Sequence, residues 1–159
     1  MQIVEGSFVG AGLCIAVAVS RWNEFITKPL LEGALDGLRR HGVADSDIIV
    51  AWAPGSFELP IICKALAARG DVDAVIALGA IIRGATSHYD HVASATTAGI
   101  HEVGMTTGVP CIFGVVTTDT IEQAIERAGT KAGNKGFDAA RTAIEMATFL
   151  RALAALGRA

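Results

Sequence analysis

Charge is scarce in this chain: Asp, Glu, Lys and Arg make up 18% of its 159 residues, and the formal net charge is −3. No basic stripe stands out, so nucleic acid is not an expected partner; phosphate backbones are gripped by clustered Lys and Arg. Long apolar runs are missing as well. None approaches the roughly 20 residues that a membrane-spanning helix needs. The opening MQIVEGSF has neither the basic nor the apolar segment of a secretory signal. The expectation is a cytoplasmic protein with no membrane partner. Cysteine is limited to Cys14, Cys63 and Cys111, an odd number, each inside an apolar run. That reads as reduced thiols and not as a disulfide framework or a zinc knuckle. HExxH, CxxC, P-loop, GxGxxG and GxSxG signatures are all absent, which removes the usual metalloprotease, nucleotide and acyl-transfer readings.

Apolar residues, by contrast, reach 52%. Such an excess fits a rich α/β core and fits equally a surface that covers subunit contacts. No linker, repeat or low-complexity tract divides the chain, so residues 1–159 read as one domain. Along it, apolar runs of strand length alternate with stretches of helical period. Strands are predicted at Leu13–Val19, Ile48–Ala53, Ala74–Ala80 and Cys111–Val116. The first helix carries Phe25, Leu30, Leu31, Leu35 and Leu38 on one stripe and ends near Gly42. A second helix spans about Phe57 to Ala68, with Pro60 tolerated in its first turn. A third starts near Ser87, a short fourth follows Asp119 as its N-cap, and an alanine-rich helix closes the chain after a polar loop at Thr130–Gly136. This alternation predicts an α/β fold, a parallel sheet wound by helices on both faces.

Ligands of such sheets gather beyond the carboxyl ends of the strands. Those ends carry Ser20–Asn23, Pro54–Glu58, Ile81–His88 and Thr117–Thr118, and most of the unusual polar residues fall there. In Gly84-Ala85-Thr86-Ser87-His88, small residues precede a helix start, where free N–H groups and the dipole suit a phosphate. Ser87 with Asp90 also reads as a simple capping pair. Imidazole as a group exchanges protons near neutral pH, which makes His88 a candidate proton carrier, against the alternative of a capping histidine. His88 and His91 stand three apart on one helix, but no third ligand is spaced to complete a zinc site, so no metal is expected. Glu58 either hydrogen-bonds a polar ring or favours the helix dipole. Trp22, Phe57 and Phe113, placed at or near strand ends, either stack a planar ring or fill the core. Arg127, Lys131, Lys135 and Arg141 either bind a phosphate or form a solvated face.

Three segments together resemble the lumazine synthase family over nearly the whole chain. They are Pro54–Pro60 (PGSFELP), Gly79–Asp90 (GAIIRGATSHYD), and Gln123–Gly129 (QAIERAG) continuing to Gly133–Gly136 (GNKG). The resemblance implies a three-layer flavodoxin-like sandwich with a four-stranded parallel sheet. It implies condensation of 5-amino-6-(D-ribitylamino)uracil with 3,4-dihydroxy-2-butanone 4-phosphate to 6,7-dimethyl-8-ribityllumazine, the penultimate step of riboflavin biosynthesis, without any cofactor. By position, Trp22 stacks on the pyrimidine, and Asn23, Ser56, Phe57, Glu58 and the backbone of Ala80, Ile81 and Ile82 hold the ring and ribityl chain. Ala85 and Thr86 hold the phosphate, and His88 transfers protons. Phe113, Arg127 and Lys135 reach in from a neighbouring subunit, with Arg127 on the phosphate.

The same resemblance implies pentamers. The short connection Gly133–Gly136 points to their closure into an icosahedral shell of 60 subunits, with riboflavin synthase as a candidate partner. Residues 1–12 are expected to add a strand to a neighbouring subunit. Two positions depart from the family pattern. Trp22 stands where phenylalanine is commoner, and Asp138 stands where glutamate is, which predicts a longer or water-bridged pairing with Lys135. A ligand-binding relative without catalysis, a purely structural shell protein and a flavodoxin-type electron carrier are the rival readings. The intact polar edge disfavours the first two, and the loop after the first strand lacks the hydroxyl-rich cradle of the third.

Overall fold

The structure is a computed structural model that describes residues 1–157. Its main sheet is built from β1 (Ile15–Ser20), β2 (Ile48–Ala53), β3 (Ala74–Ile82) and β4 (Cys111–Thr118), all parallel, in the order β2-β1-β3-β4. Between and after them run α1 (Glu24–Arg40), α2 (Leu59–Ala67), α3 (His88–Thr107), α4 (Ile121–Glu126) and α5 (Lys135–Leu156). The chain is thus a flavodoxin-like α/β sandwich with helices on both faces, as its apolar pattern predicts.

The continuous apolar runs of β1 and β3 follow from double coverage. Alternate side chains Ile15, Val17, Val19, Ile76 and Leu78 join Leu30, Leu38 and Ile144 of α1 and α5 in one cluster. The intervening Ala16, Ala18, Val75 and Ala77 join Leu59, Cys63, Ile100 and Val103 of α2 and α3 in the other. Helices α1 and α5 approach closely because glycine stands at the crossing. A methyl on Gly136 would land on the Leu30 carbonyl oxygen, and one on Gly37 would stand 2.9 Å from Ala140 Cβ.

Several local expectations are corrected. Phe25 is 76% exposed, and α1 instead buries Ile26, Leu30, Ala34 and Leu38. One residue of offset is about 100° around a helix, enough to move a side chain off the core stripe. The cap of α4 is Thr120, whose Oγ1 accepts from Gln123 N–H at 3.2 Å, not Asp119. The expected loop at 130–136 contains a small antiparallel hairpin, β5 (Ala128–Thr130) with β6 (Gly133–Asn134), and α5 starts at Lys135 with Asn134 as its cap. Ser87 makes no side-chain cap bond. Strands β3 and β4 each run two residues further than their apolar cores, into Ile82 and Thr118. Residues 7–10 lie against the chain's own helices: Ser7 N–H donates to Thr148 Oγ1 at 2.8 Å, and Gly10 N–H to His41 O at 2.7 Å. Among the described residues no helix is long and apolar enough to cross a membrane.

Candidate active site

In this strand order β1 has neighbours on both sides, and the connections leaving β1 and β3 diverge to opposite faces of the sheet. A crevice opens there beyond the carboxyl ends, the place where doubly wound sheets bind ligands. The structure has a cavity of about 670 Å³ at this point. Trp22, Asn23, Ser56, Phe57, Glu58, Ala80, Ile81, Ile82, Thr86 and His88 all border it. Ala85 sits in the same loop between Gly84 and Thr86 but outside the cavity wall.

The walls are held by specific bonds. Arg21 N–H donates to Ala53 O at 2.7 Å and Trp22 N–H to Pro54 O at 3.1 Å, so the turns after β1 and β2 are tied together. Asn23 adopts φ 61° and ψ 44°, a left-handed conformation that asparagine tolerates better than most residues. There its Nδ2 donates to Ala80 O at 2.9 Å, bridging the first turn to the end of β3. Ser56 is nearly buried; its carbonyl accepts from Thr96 Oγ1 at 3.1 Å, and a methyl on Gly79 would stand 2.6 Å from its Oγ. Gly79 therefore gives room for the turn that presents Phe57 and Glu58.

Trp22 and Phe57 remain 74% and 59% exposed. Large unpaired aromatic faces at a cavity mouth offer stacking surface for a planar ring. Opposite them lies the start of α3, a helix of 20 residues. Among the described residues, the backbone N–H groups of residues 84–87 donate to no acceptor, and they sit at the positive end of that helix. Thr86 Oγ1 accepts weakly from His88 N–H at 3.4 Å.

Tyr89, His91 and Val92 also border the cavity. In the sequence His91 stands out only as a candidate metal ligand. Counting three and four residues on from His88 would have found His91 and Val92, because those positions share a helix face. Among the described residues, no group of three or more His, Cys, Asp or Glu side chains gathers as a metal would require.

Phe113, Arg127 and Lys135 are not in this cavity. They border a second cleft of about 550 Å³ on the same chain, together with Asp138 and Thr142. Phe113 is the third residue of β4, opposite Ala77, and so lies near that strand's amino end, away from the carboxyl edge. The hairpin brings the two cations together: Lys135 N–H donates to Arg127 O at 2.9 Å. Lys135 Nζ meets Asp138 Oδ2 directly at 3.2 Å, so the expected longer or bridged pairing is corrected; three residues apart on one helix, the shorter carboxylate still reaches. Arg141 lies with its guanidinium 4.8 Å from the Phe8 ring, outside both clefts.

Arg83, next to the cavity loop, is engaged elsewhere. The Asp119 carboxylate, and secondarily that of Asp90, hold its pKa above the ordinary guanidinium value. Exposed pairs of this kind contribute little to stability.

The chain is thus an α/β protein with an aromatic-lined crevice at the switch point of its parallel sheet, bordered by a helix start with free amides and by an imidazole. The chain matches the family described as 6,7-dimethyl-8-ribityllumazine synthase over residues 12–151, and it belongs to that family. It is an enzyme of riboflavin biosynthesis, at the step that makes the lumazine.

Proposed function

We propose that the chain is a transferase that condenses 5-amino-6-(D-ribitylamino)uracil with 3,4-dihydroxy-2-butanone 4-phosphate, releasing phosphate and water, to give 6,7-dimethyl-8-ribityllumazine. The observation that carries this reading is one cavity bordered by Trp22, Phe57, the loop 84–87 and His88. The pyrimidine stacks on Trp22, with Asn23, Ser56, Phe57, Glu58 and Ala80–Ile82 around the ring and the ribityl chain. The phosphate sits on Ala85, Thr86 and the start of α3, where amides offset the charge that builds as it leaves. His88 moves protons during imine formation and elimination. An amine attacking a ketone needs orientation and proton transfer more than a strong nucleophile, and no cofactor is required.

Phe113, Arg127 and Lys135 enter from the neighbouring subunit in this reading. Their place in a separate cleft supports it, because one chain then holds two halves of two different sites. Exposed Phe25, Ile61, Met105 and Ile121 are apolar surface of the kind that self-association covers. The assembly is a pentamer, and the short connection Gly133–Gly136 supports its closure into a 60-subunit shell, with the N-terminal segment, where it is free of the chain's own helices, adding a strand to a neighbouring subunit's sheet and riboflavin synthase as a candidate partner. Free thiols at Cys14, Cys63 and Cys111 fit the reducing cytoplasm.

Purified protein mixed with both substrates is expected to raise lumazine absorbance above the uncatalysed rate. The Arg127→Ala protein should lose most of that acceleration, and His88→Ala should slow it by roughly 10²–10⁴. Coexpression of the two variants should restore activity, because some sites then combine an intact His88 with an intact Arg127. No acceleration by an intact oligomer would overturn the enzymatic reading. A coexpressed mixture no better than its parents would overturn the shared site.

A further inference from the structure

Arg83 stands between Ile82 and Gly84, which both border the cavity, yet its own side chain is not part of the wall. Nε donates to Asp119 Oδ1 at 2.9 Å and Nη1 to Asp90 Oδ1 at 3.2 Å, while the guanidinium lies 4.2 Å from the centre of the Tyr89 ring. Its backbone N–H donates to Thr118 O at 2.9 Å. The fork is therefore occupied on two edges and one face, and Arg83 is not a free cation for a ligand. These bonds arise from sheet register: Ile82 pairs with Thr118, which sets residues 83 and 119 side by side at the ends of β3 and β4.

Exposed ion pairs add little to stability, so what this one supplies is geometry. On one side it fixes the residue that leads into 84–87, whose amides donate to no acceptor among the described residues. On the other, Asp119 N–H donates to Gln123 Oε1 at 2.9 Å, and Arg127 Nη1 donates to Gln123 O at 2.9 Å. Arg83 is thus tied to the Asp119 side chain, and the backbone of Asp119 and of Gln123 carries the connection on to Arg127, linking the loop of the first cleft to the cation of the second.

We propose that Arg83 and Asp119 form a positioning pair that sets both the anion-holding loop 84–87 and the Arg127 fork for a phosphate-bearing ligand. The inference rests on the reading of the site given under Proposed function. Because each chain gives its loop to one site and Arg127 to the next, a single pair serves two neighbouring sites. Neither residue touches the substrate; both act through the groups they hold.

The test measures inorganic phosphate affinity by calorimetry on the assembled protein, alongside steady-state kinetics. The proteins compared are wild type, Arg83→Gln, Arg83→Lys, Asp119→Ala and the Arg83→Gln/Asp119→Ala double variant. The three single variants are expected to weaken phosphate about tenfold or more, the scale of a misplaced binding group. The KM for the butanone phosphate should rise in step, with the KM for the pyrimidine unchanged. Lysine keeps the charge but not the fork, so it should not rescue Arg83. The double variant should be no worse than either parent, as expected of two residues acting as one unit. Wild-type affinity in Arg83→Lys, or tighter phosphate in Asp119→Ala through release of Arg83 as a direct ligand, would overturn the proposal. So would equal losses on both substrates, loss of the oligomer in every variant, or a wild type that binds no phosphate. Whether the wild type forms lumazine is scored separately and decides the functional reading alone, because the phosphate measurement does not depend on turnover.

Discussion

Replacing Asn23 separates two energies that act at the same residue. Asparagine there holds φ at 61° and donates to Ala80 O at 2.9 Å. Loss of the hydrogen bond costs about 0.5–1.5 kcal/mol. An alanine forced into the left-handed region adds about 1–2 kcal/mol, whereas glycine reaches it freely. Asn23→Ala should therefore destabilise by roughly 1.5–3.5 kcal/mol and Asn23→Gly by roughly 0.5–1.5 kcal/mol. The usual order, in which alanine outranks glycine, inverts at this position. Asn23→Asp keeps the size but sets a carboxylate against a carbonyl oxygen, so it should also lose the bridge. Urea unfolding of the assembled proteins, at one protein concentration because association shifts apparent stability, gives the comparison. Turnover at limiting pyrimidine should fall most in Asn23→Ala, because Trp22 is the preceding residue. An alanine variant as stable as the glycine variant would refute the backbone reasoning, and wild-type stability in both would refute the bridge as well.

Gly136→Ala should destabilise by about 1–3 kcal/mol through overpacking against the Leu30 carbonyl. Gly104→Ala, whose added methyl comes no closer to a neighbour than 3.5 Å, at Cys111 N, should gain up to about 1 kcal/mol of helix propensity. Opposite shifts in melting temperature check the pair, and shifts of the same sign count against it. Asp73 accepts Cys14 N–H at 2.8 Å and Arg151 Nη2 at 2.8 and 2.9 Å, so Asp73→Ala should cost about 1–3 kcal/mol. At roughly 2–4 °C per kcal/mol for a chain of this size, calorimetry would see it easily. Cys63 is buried; interaction with the Cys111 sulfur, together with burial, holds its thiol well above the ordinary value of 9.0, while Cys111 is lowered by the same interaction. Raising pH from about 7 to 9 should thus leave Cys63 protonated and unalkylated in the folded protein. Peptide mass spectrometry after iodoacetamide treatment checks this, and labelling of Cys63 as fast as Cys111 would contradict it.

Much of the fold was legible because its signals are local. An unbroken apolar run such as Ala74–Ala80 has only one comfortable setting, a strand covered on both faces. The four runs, read with the helical stretches between them, lead to the parallel sheet without any distant information. The same holds for the cavity: the polar residues Ser20–Asn23, Pro54–Glu58 and Ile81–His88 each follow a strand, and parallel strands bring such ends to one edge. Phe25 lies beyond this logic because an apolar residue one place off the stripe looks the same in sequence as one on it. Only neighbours across space decide which stripe is buried.

The amino-acid sequence by itself determined the class of fold, the edge on which ligands gather, and the motifs that place the chain in its family. Tertiary structure alone divided the expected site residues between two clefts, because the path of β4 and the β5–β6 hairpin carry Phe113, Arg127 and Lys135 away from Trp22 and His88. It alone took Arg83 out of the cavity, since its partner Asp119 lies 36 residues away and becomes adjacent only through the register of β3 with β4. Periodicity records which side of an element is apolar. Which other element meets that side is a property of packing, and packing is what parts the expected site residues into two clefts.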